Sequence, residues 1–458
     1  MKKNKQRVLE IFEEILSIPR SSGREEKIAN YIVEYAKTHN FEYKKDEYNN
    51  VFIRKNNKRD KTIILQAHSD MVCVSNNNYD FANKGIDYYI DGDYYNAKNT
   101  TLGADDGIGL AIILAILEEE NMPNIEALIT TQEETTMLGA TNFDYSLLTG
   151  KTLINLDGTD EGKIESSCAG MCSIVLNKKV TKEISELNTY KLVISNLKGG
   201  HSGSDIDKNR MNAIKLGFEI LKKINIDTIC DFKIGKKANV IPSEGFIIFT
   251  SNKEINELRD LINNIDFSLS YDDNNLNLQV EEYSDFDVIN ESKEIISFIN
   301  DLDNGVLAKY DDGLPLLSSN IGTLNLIDDE VIIDLSIRSS DIDLENNQIE
   351  KLENLCRKYN FTFEINSKIP SFAYLKESKI RKLLADTYKQ LYSKDAITSK
   401  VHACMEIGVI SSKIEDLDIV TIGPIIMDYH SIDEKVSISS IKRVYGWLKE
   451  TLKLYNKS

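Results

Sequence analysis

The chain is expected to be an α/β protein with a second, α+β module inserted into it. Three features of the sequence predict this. Short, continuously apolar runs alternate with helical stretches near the start. From about Thr189 the pattern changes to helices mixed with paired strand-like runs. After about residue 373 the first pattern returns. At 458 residues the chain is too long for one ordinary domain. With 41% hydrophobic and 28% charged residues, each part has material for its own core.

Residues 5–18 and 23–38 read as helices, with Ser21 or Ser22 as the cap of the second and Glu25 and Glu26 suited to the positive end of its dipole. An apolar strand at 61–65, an Ala/Ile/Leu-rich helix at 108–120, and strands at 125–131 and 152–156 follow. Strands apolar on both faces need helices on both sides, hence α/β. The middle of the chain reads as a strand at 190–196, a helix at 211–224, strands at 228–234 and 239–250, and a helix at 254–265. A second round has a helix near 291–299, a hairpin at 320–337, a helix at 346–359 and a strand at 362–365. The α/β pattern closes with a helix at 377–392, a strand at 417–422 and a helix at 438–452 capped by Ser437. The expected limits are 1–186 with 373–458 for the first domain and 187–372 for the insert.

The formal net charge is −18. An acidic surface repels phosphate backbones and anionic lipids, so nucleic acid and membranes are not expected partners. No apolar run reaches the ~20 residues that span a bilayer. The stretch Val8 to Leu16 carries glutamates at helical spacing and reads as an amphipathic helix, not a secretory segment. The six cysteines include no CxxC pair, so free thiols and a cytoplasmic location are expected.

Five short segments carry candidate chemistry. Gln66-Ala67-His68-Ser69-Asp70 follows an apolar strand, and Asp70, two residues on, can fix the tautomer of His68. Leu102-Gly103-Ala104-Asp105-Asp106-Gly107 opens a helix with exposed carboxylates. Glu133-Glu134 ends a strand. Two adjacent like charges at such a place suggest that one is neutralised by a cation and the other carries protons. Asp157 ends another apolar strand, and His430 lies in Asp428-Tyr429-His430-Ser431 before the last helix. Ligands of open α/β sheets gather at the carboxyl ends of strands, where all five segments are placed. Mixed histidine and carboxylate ligands suit zinc, and also cobalt or manganese, and a bridging carboxylate suits a pair of such ions.

These segments, together with Leu197-Lys198-Gly199-Gly200-His201-Ser202-Gly203 and His430-Ser431 followed by Asp433-Glu434, resemble the di-zinc peptidase family that includes aminoacylases, glutamate carboxypeptidases and carnosinases. The match is strongest to its aminoacyl-histidine dipeptidase (peptidase D) branch, through Val401-His402-Ala403 with Glu406 and Gly408, and it runs from Ile18-Pro19-Arg20 to the last helix. The resemblance implies a phosphorylase/hydrolase-like α/β catalytic domain whose mixed sheet is covered by helices. The insert would be a lid of two ferredoxin-like halves.

The resemblance also implies roles. His68 and Asp157 would hold one metal, Glu134 and His430 the other, and Asp105 would bridge them through a residue followed by a cis peptide bond. Glu133 would be the general base, Asp70 would orient His68, and His201 would stabilise the oxyanion. Asn239, Arg338, His402 and Glu406 would lie on the substrate side, Arg338 being suited to a terminal carboxylate by its planar fork. Three positions depart from the family pattern: Asp106 stands for Asn, Cys404 for Gly and Ile432 for Pro.

The expected activity is metal-dependent hydrolysis of small peptides, foremost Xaa-His dipeptides of the β-alanyl-histidine kind. An N-acyl-amino-acid amidohydrolase or tripeptidase with the same centre is the alternative, and a non-catalytic peptide-binding protein the remote one. Two zinc ions are the expected cofactors and a homodimer a possible assembly.

Overall fold

A computed structural model describes residues 2–267, 273–284 and 286–457, with side chains from residue 7 onward. The chain divides into two compact units. The first comprises residues 1–167, 374–400 and 406–458, and the second comprises 168–373 with 401–405.

The first unit is built on an eight-stranded mixed sheet. Its strands run in the order Glu42–Lys45, Val51–Lys55, Asn124–Thr130, Thr62–His68, Thr152–Asn155, Asp418–Thr421, Lys163–Cys168 and Ile397–Val401. The four central strands, from Asn124–Thr130 to Asp418–Thr421, are parallel, with His68 level with Thr130 and Gln66 level with Asn155. Parallel pairing forces helical crossovers, and these cover the sheet. The helix Ala104–Leu117 is buried along every residue from Gly107 to Leu117, as expected of a helix apolar all round. It packs against the helix Lys2–Leu16 and the strand Thr62–His68. Each large aliphatic side chain of this core, such as Ile112, Ile113 and Leu114, contributes about 1.5–3 kcal/mol. Ser437 caps the last helix, Ile438–Tyr455, by accepting from the Ser440 N–H. Ser21 and Ser22 do not cap the second helix, contrary to expectation. That helix starts at Glu26 without a side-chain cap, and the Ser22 hydroxyl donates to Asp70 instead.

The second unit is a nine-stranded antiparallel sheet with its own hydrophobic core. Eight strands run in the order Asn277–Glu282, Asn188–Ser195, Gly245–Ser251, Ile229–Ile234, Pro315–Ile327, Glu330–Ser339, Gly170–Lys179 and Thr362–Ile369, and Gly305–Lys309 joins Pro315–Ile327. Both helix-and-strand rounds therefore share one sheet. The hairpin from Pro315 to Ser339 turns on Asp328 and Asp329 alone. Both have positive φ (48° and 59°), the geometry a two-residue hairpin turn requires. The unit begins at Cys168, ahead of the position 187 read from the change in pattern, because Gly170–Lys179 pairs with Glu330–Ser339 and Thr362–Ile369. The strand's strictly alternating burial is the signature of one face on a core and one in solvent.

Candidate metal centre

Local structure places each ligand segment. His68 is the last residue of its strand, and Glu133-Glu134 and Asp157 follow the carboxyl ends of the two strands flanking it. Asp105 stands at the first turn of the helix Ala104–Leu117, after Gly103 in the left-handed conformation (φ 72°), and the Asp105–Asp106 peptide is cis. The strand Asp418–Thr421 leads into the loop carrying His430, itself left-handed (φ 61°). That region is uncommon for a side-chain-bearing residue.

The side chains converge. His68 Nε2 lies 3.2 Å from Asp105 Oδ1 and 3.6 Å from Asp157 Oδ1. His430 Nε2 lies 3.2 Å from Asp105 Oδ2 and 2.9 Å from Glu134 Oε1. The two oxygens of Asp105 thus face two different histidines, each beside a further carboxylate. On the far side of the imidazole, His68 Nδ1 is 3.4 Å from Asp70 Oδ1. Asp70 is held in turn by the Glu133 N–H (3.1 Å), the Glu134 N–H (3.3 Å) and the Ser22 hydroxyl (2.7 Å). One buried carboxylate therefore orients both the histidine and the paired glutamates.

The electrostatics fit a cation site. Burial, with the neighbouring carboxylates, pushes Glu133, Asp157 and Asp106 well above the usual carboxylate range. Although burial alone would lower it, His68 is raised by Asp105 and Asp157, and His430 is likewise raised to about 10 by Asp105 and Glu134. So many carboxylates in one buried place cannot all ionise without positive charge. His68, Asp105 and Glu134 offer ligand atoms within 4.8 Å of one another, and so do His68, Asp106 and Asp157. Asp106 has other work, because its carboxylate accepts the His68 N–H (3.3 Å) and the Gly109 N–H (3.0 Å). The donor set fits divalent metals that accept nitrogen and oxygen ligands.

Glu406 is 1% exposed and bonds to residues on two of the central strands. It accepts from Gln66 Nε2 and the Thr130 hydroxyl, both at 2.6 Å, and Asn155 and Thr421 extend the network from Gln66. Residues on four neighbouring central strands are thus tied together, and burial raises Glu406 to about 7.

The second unit holds the remaining candidates. His201 Nδ1 accepts from the Gly203 and Ser204 N–H groups, both at 3.2 Å. That leaves the proton on Nε2. Burial and the charge of Arg338 lower His201. Arg338, 4% exposed, donates to the Ser202 hydroxyl (3.3 Å) and to Cys404 Sγ (3.2 Å). His402 Nε2 is 2.8 Å from the Ser318 hydroxyl, and burial and Arg338 hold His402 down at about 4. Asn239 is exposed, and its carbonyl accepts the Ser202 N–H.

Motif reading missed Arg20 and Glu434 as parts of the centre. Both are buried charges that bind backbone beside the ligands, and only their inclusion in family-like motifs hinted at this.

A mixed, helix-covered sheet whose parallel centre gathers histidine and carboxylates at its strand ends has the make-up of a site for divalent metal ions. Residues 64–454 match the model of peptidase family M20/M25/M40, and the chain belongs to that family. It is 34% identical to the cytosol non-specific dipeptidase of Escherichia coli (strain K12), over 97% of this chain and 96% of that protein. The crystal structure of aminoacylhistidine dipeptidase from Vibrio alginolyticus superposes with a TM-score of 0.89 at 30% identity, covering 98% of this chain and 96% of that one. An aminopeptidase from Bacillus cereus, at 15% identity and a TM-score of 0.60, covers 98% of both chains and shares the fold. No helix among the described residues is long and apolar enough to cross a membrane.

Proposed function

We propose that this M20 dipeptidase hydrolyses Xaa-His dipeptides and similar small peptides in the cytoplasm, with two zinc ions as its metals. The observation that carries the reading is Asp105, whose oxygens face His68 and Asp157 on one side and His430 and Glu134 on the other. In this assignment His68 and Asp157 would hold one ion, His430 and Glu134 the other, and Asp105 would be the carboxylate shared between them. Bound there, the ions would polarise the scissile carbonyl and make water acidic enough to attack at neutral pH.

The chain's own residues do the rest. Glu133, next to a ligand but free of that duty, takes the proton from water and delivers it to the leaving amine. Asp70 keeps the His68 imidazole facing the metal and positions the Glu133 backbone. His201, neutral with its proton on Nε2, is the donor assigned to the developing oxyanion. Arg338 and His402 are assigned to the peptide's terminal carboxylate and Asn239 to its backbone, while Glu406, expected on the substrate side, is read instead as a tie between strands through Gln66 and Thr130. The second unit is read as the lid. Its strand order fits two βαββαβ halves of the ferredoxin-like kind, one inserted into the other.

The test is steady-state hydrolysis by chelated and zinc-reloaded protein, across Xaa-His dipeptides, other dipeptides, N-acyl amino acids and longer peptides. Turnover should vanish on chelation, return with zinc and favour dipeptides. Metal-independent turnover, or equal efficiency on long peptides, would sink the reading.

A further inference from the structure

Two buried ionic groups beside the metal centre hold backbone rather than ligand. Glu434 is 2% exposed, and its carboxylate accepts from four consecutive N–H groups: Leu102 (2.7 Å) and Gly103 (2.9 Å) at Oε2, Ala104 (2.8 Å) and Asp105 (3.3 Å) at Oε1. These amides open a helix, where N–H groups lack helical partners and a negative charge is favoured. Arg20, also 2% exposed, donates from Nη1 to the carbonyls of Ser69 (3.1 Å) and Asp70 (2.8 Å) and from Nη2 to the carbonyl of Gly103.

The two side chains grip one loop, 102–105, from opposite partners of its peptide groups. Arg20 ties that loop to the segment leaving His68. Glu434 ties it to the segment that carries His430, four residues earlier in the chain. Gly103 in this loop and Gly107 in the helix that follows make room for the guanidinium. A Cβ at Gly103 would lie 2.6 Å from Arg20 Nη2, and one at Gly107 2.5 Å from it. Neither position can carry a side chain without displacing the guanidinium.

We propose that Arg20 and Glu434 are positioning residues that hold the loop before Asp105 so that its carboxylate faces both ligand sets. They set metal affinity without touching metal or substrate. The inference rests on the two-metal reading of the centre.

The test is calorimetric zinc titration of the apo-protein and of Glu434→Gln and Arg20→Lys. Glutamine keeps the shape but replaces one acceptor oxygen with a donor. Lysine keeps the charge but cannot span three carbonyls. Each variant should bind zinc about 10–100-fold more weakly, the range expected for groups that support ligands. A residue that only stabilised the fold would lower the melting temperature and leave zinc affinity unchanged. Folded variants that bind zinc within twofold of the parent therefore overturn the proposal. Should the variants fail to fold, hydrogen exchange of the parent apo-protein decides: slow exchange of amides 102–105 supports the clamp and fast exchange contradicts it. A parent protein that takes up no zinc would instead overturn the metal-centre reading itself.

Discussion

The two units treat the same side chain in opposite ways. His68 and His430 are set among carboxylates that raise them, whereas His201 and His402 lie near Arg338 in surroundings that lower them. The first environment has too much negative charge and calls for cations. The second combines a fixed guanidinium with two neutral imidazoles, a combination suited to donating hydrogen bonds to anionic oxygen. In the proposed reading, these four histidines would serve as metal ligands or as neutral donors according to the charge beside them.

That contrast can be broken at Arg338. Replacing it with lysine keeps a positive charge but loses the fork and the bonds to Ser202 and Cys404. KM for a dipeptide with a free terminal carboxylate should rise about 10–100-fold, as expected when a charge-assisted bidentate contact worth ~1.5–3 kcal/mol is lost. Zinc content should not change. A variant with unchanged KM would remove the anion-binding half of the contrast.

A smaller effect sharpens it at His402. Its folded value of about 4 lies below its ordinary 6.5, so between those values the unfolded chain binds the extra proton and the folded chain does not. His402 therefore costs the native state no stability above pH 6.5 and progressively destabilises it as pH falls toward 4. In urea melts, His402→Gln should show a shallower loss of stability across that window than the parent. Parallel curves would mean that His402 is not held neutral.

Much of the metal centre was legible because each piece is local. His68 with Asp70, Glu133 with Glu134, and Asp157 each end an apolar strand, and strand ends can be read from short runs of sequence. The central helices and strands were legible for the same reason. What could not be read depends on distant partners. Glu434 meets Leu102 across 332 positions, and Gln66 meets Glu406 across 340. No local pattern announces such pairings. Gly170–Lys179 could not be assigned to the second sheet from local pattern, because it precedes the change in pattern and its partners Glu330–Ser339 and Thr362–Ile369 come more than 140 residues later. Ser22 looked like a helix cap because caps and carboxylate donors use the same hydroxyl, and only the fold shows Asp70 within its reach.

Five of the clustered side chains are proposed to hold metal while Glu133 moves protons. Zinc content and single-turnover rate, measured on one preparation of Glu133→Gln, separate these two duties. This variant should hold two zinc equivalents, as the parent should, and turn over about 10²–10⁴-fold more slowly, the usual worth of a general base. A variant that loses a zinc equivalent, or that keeps the parent's rate, would contradict this division of duties.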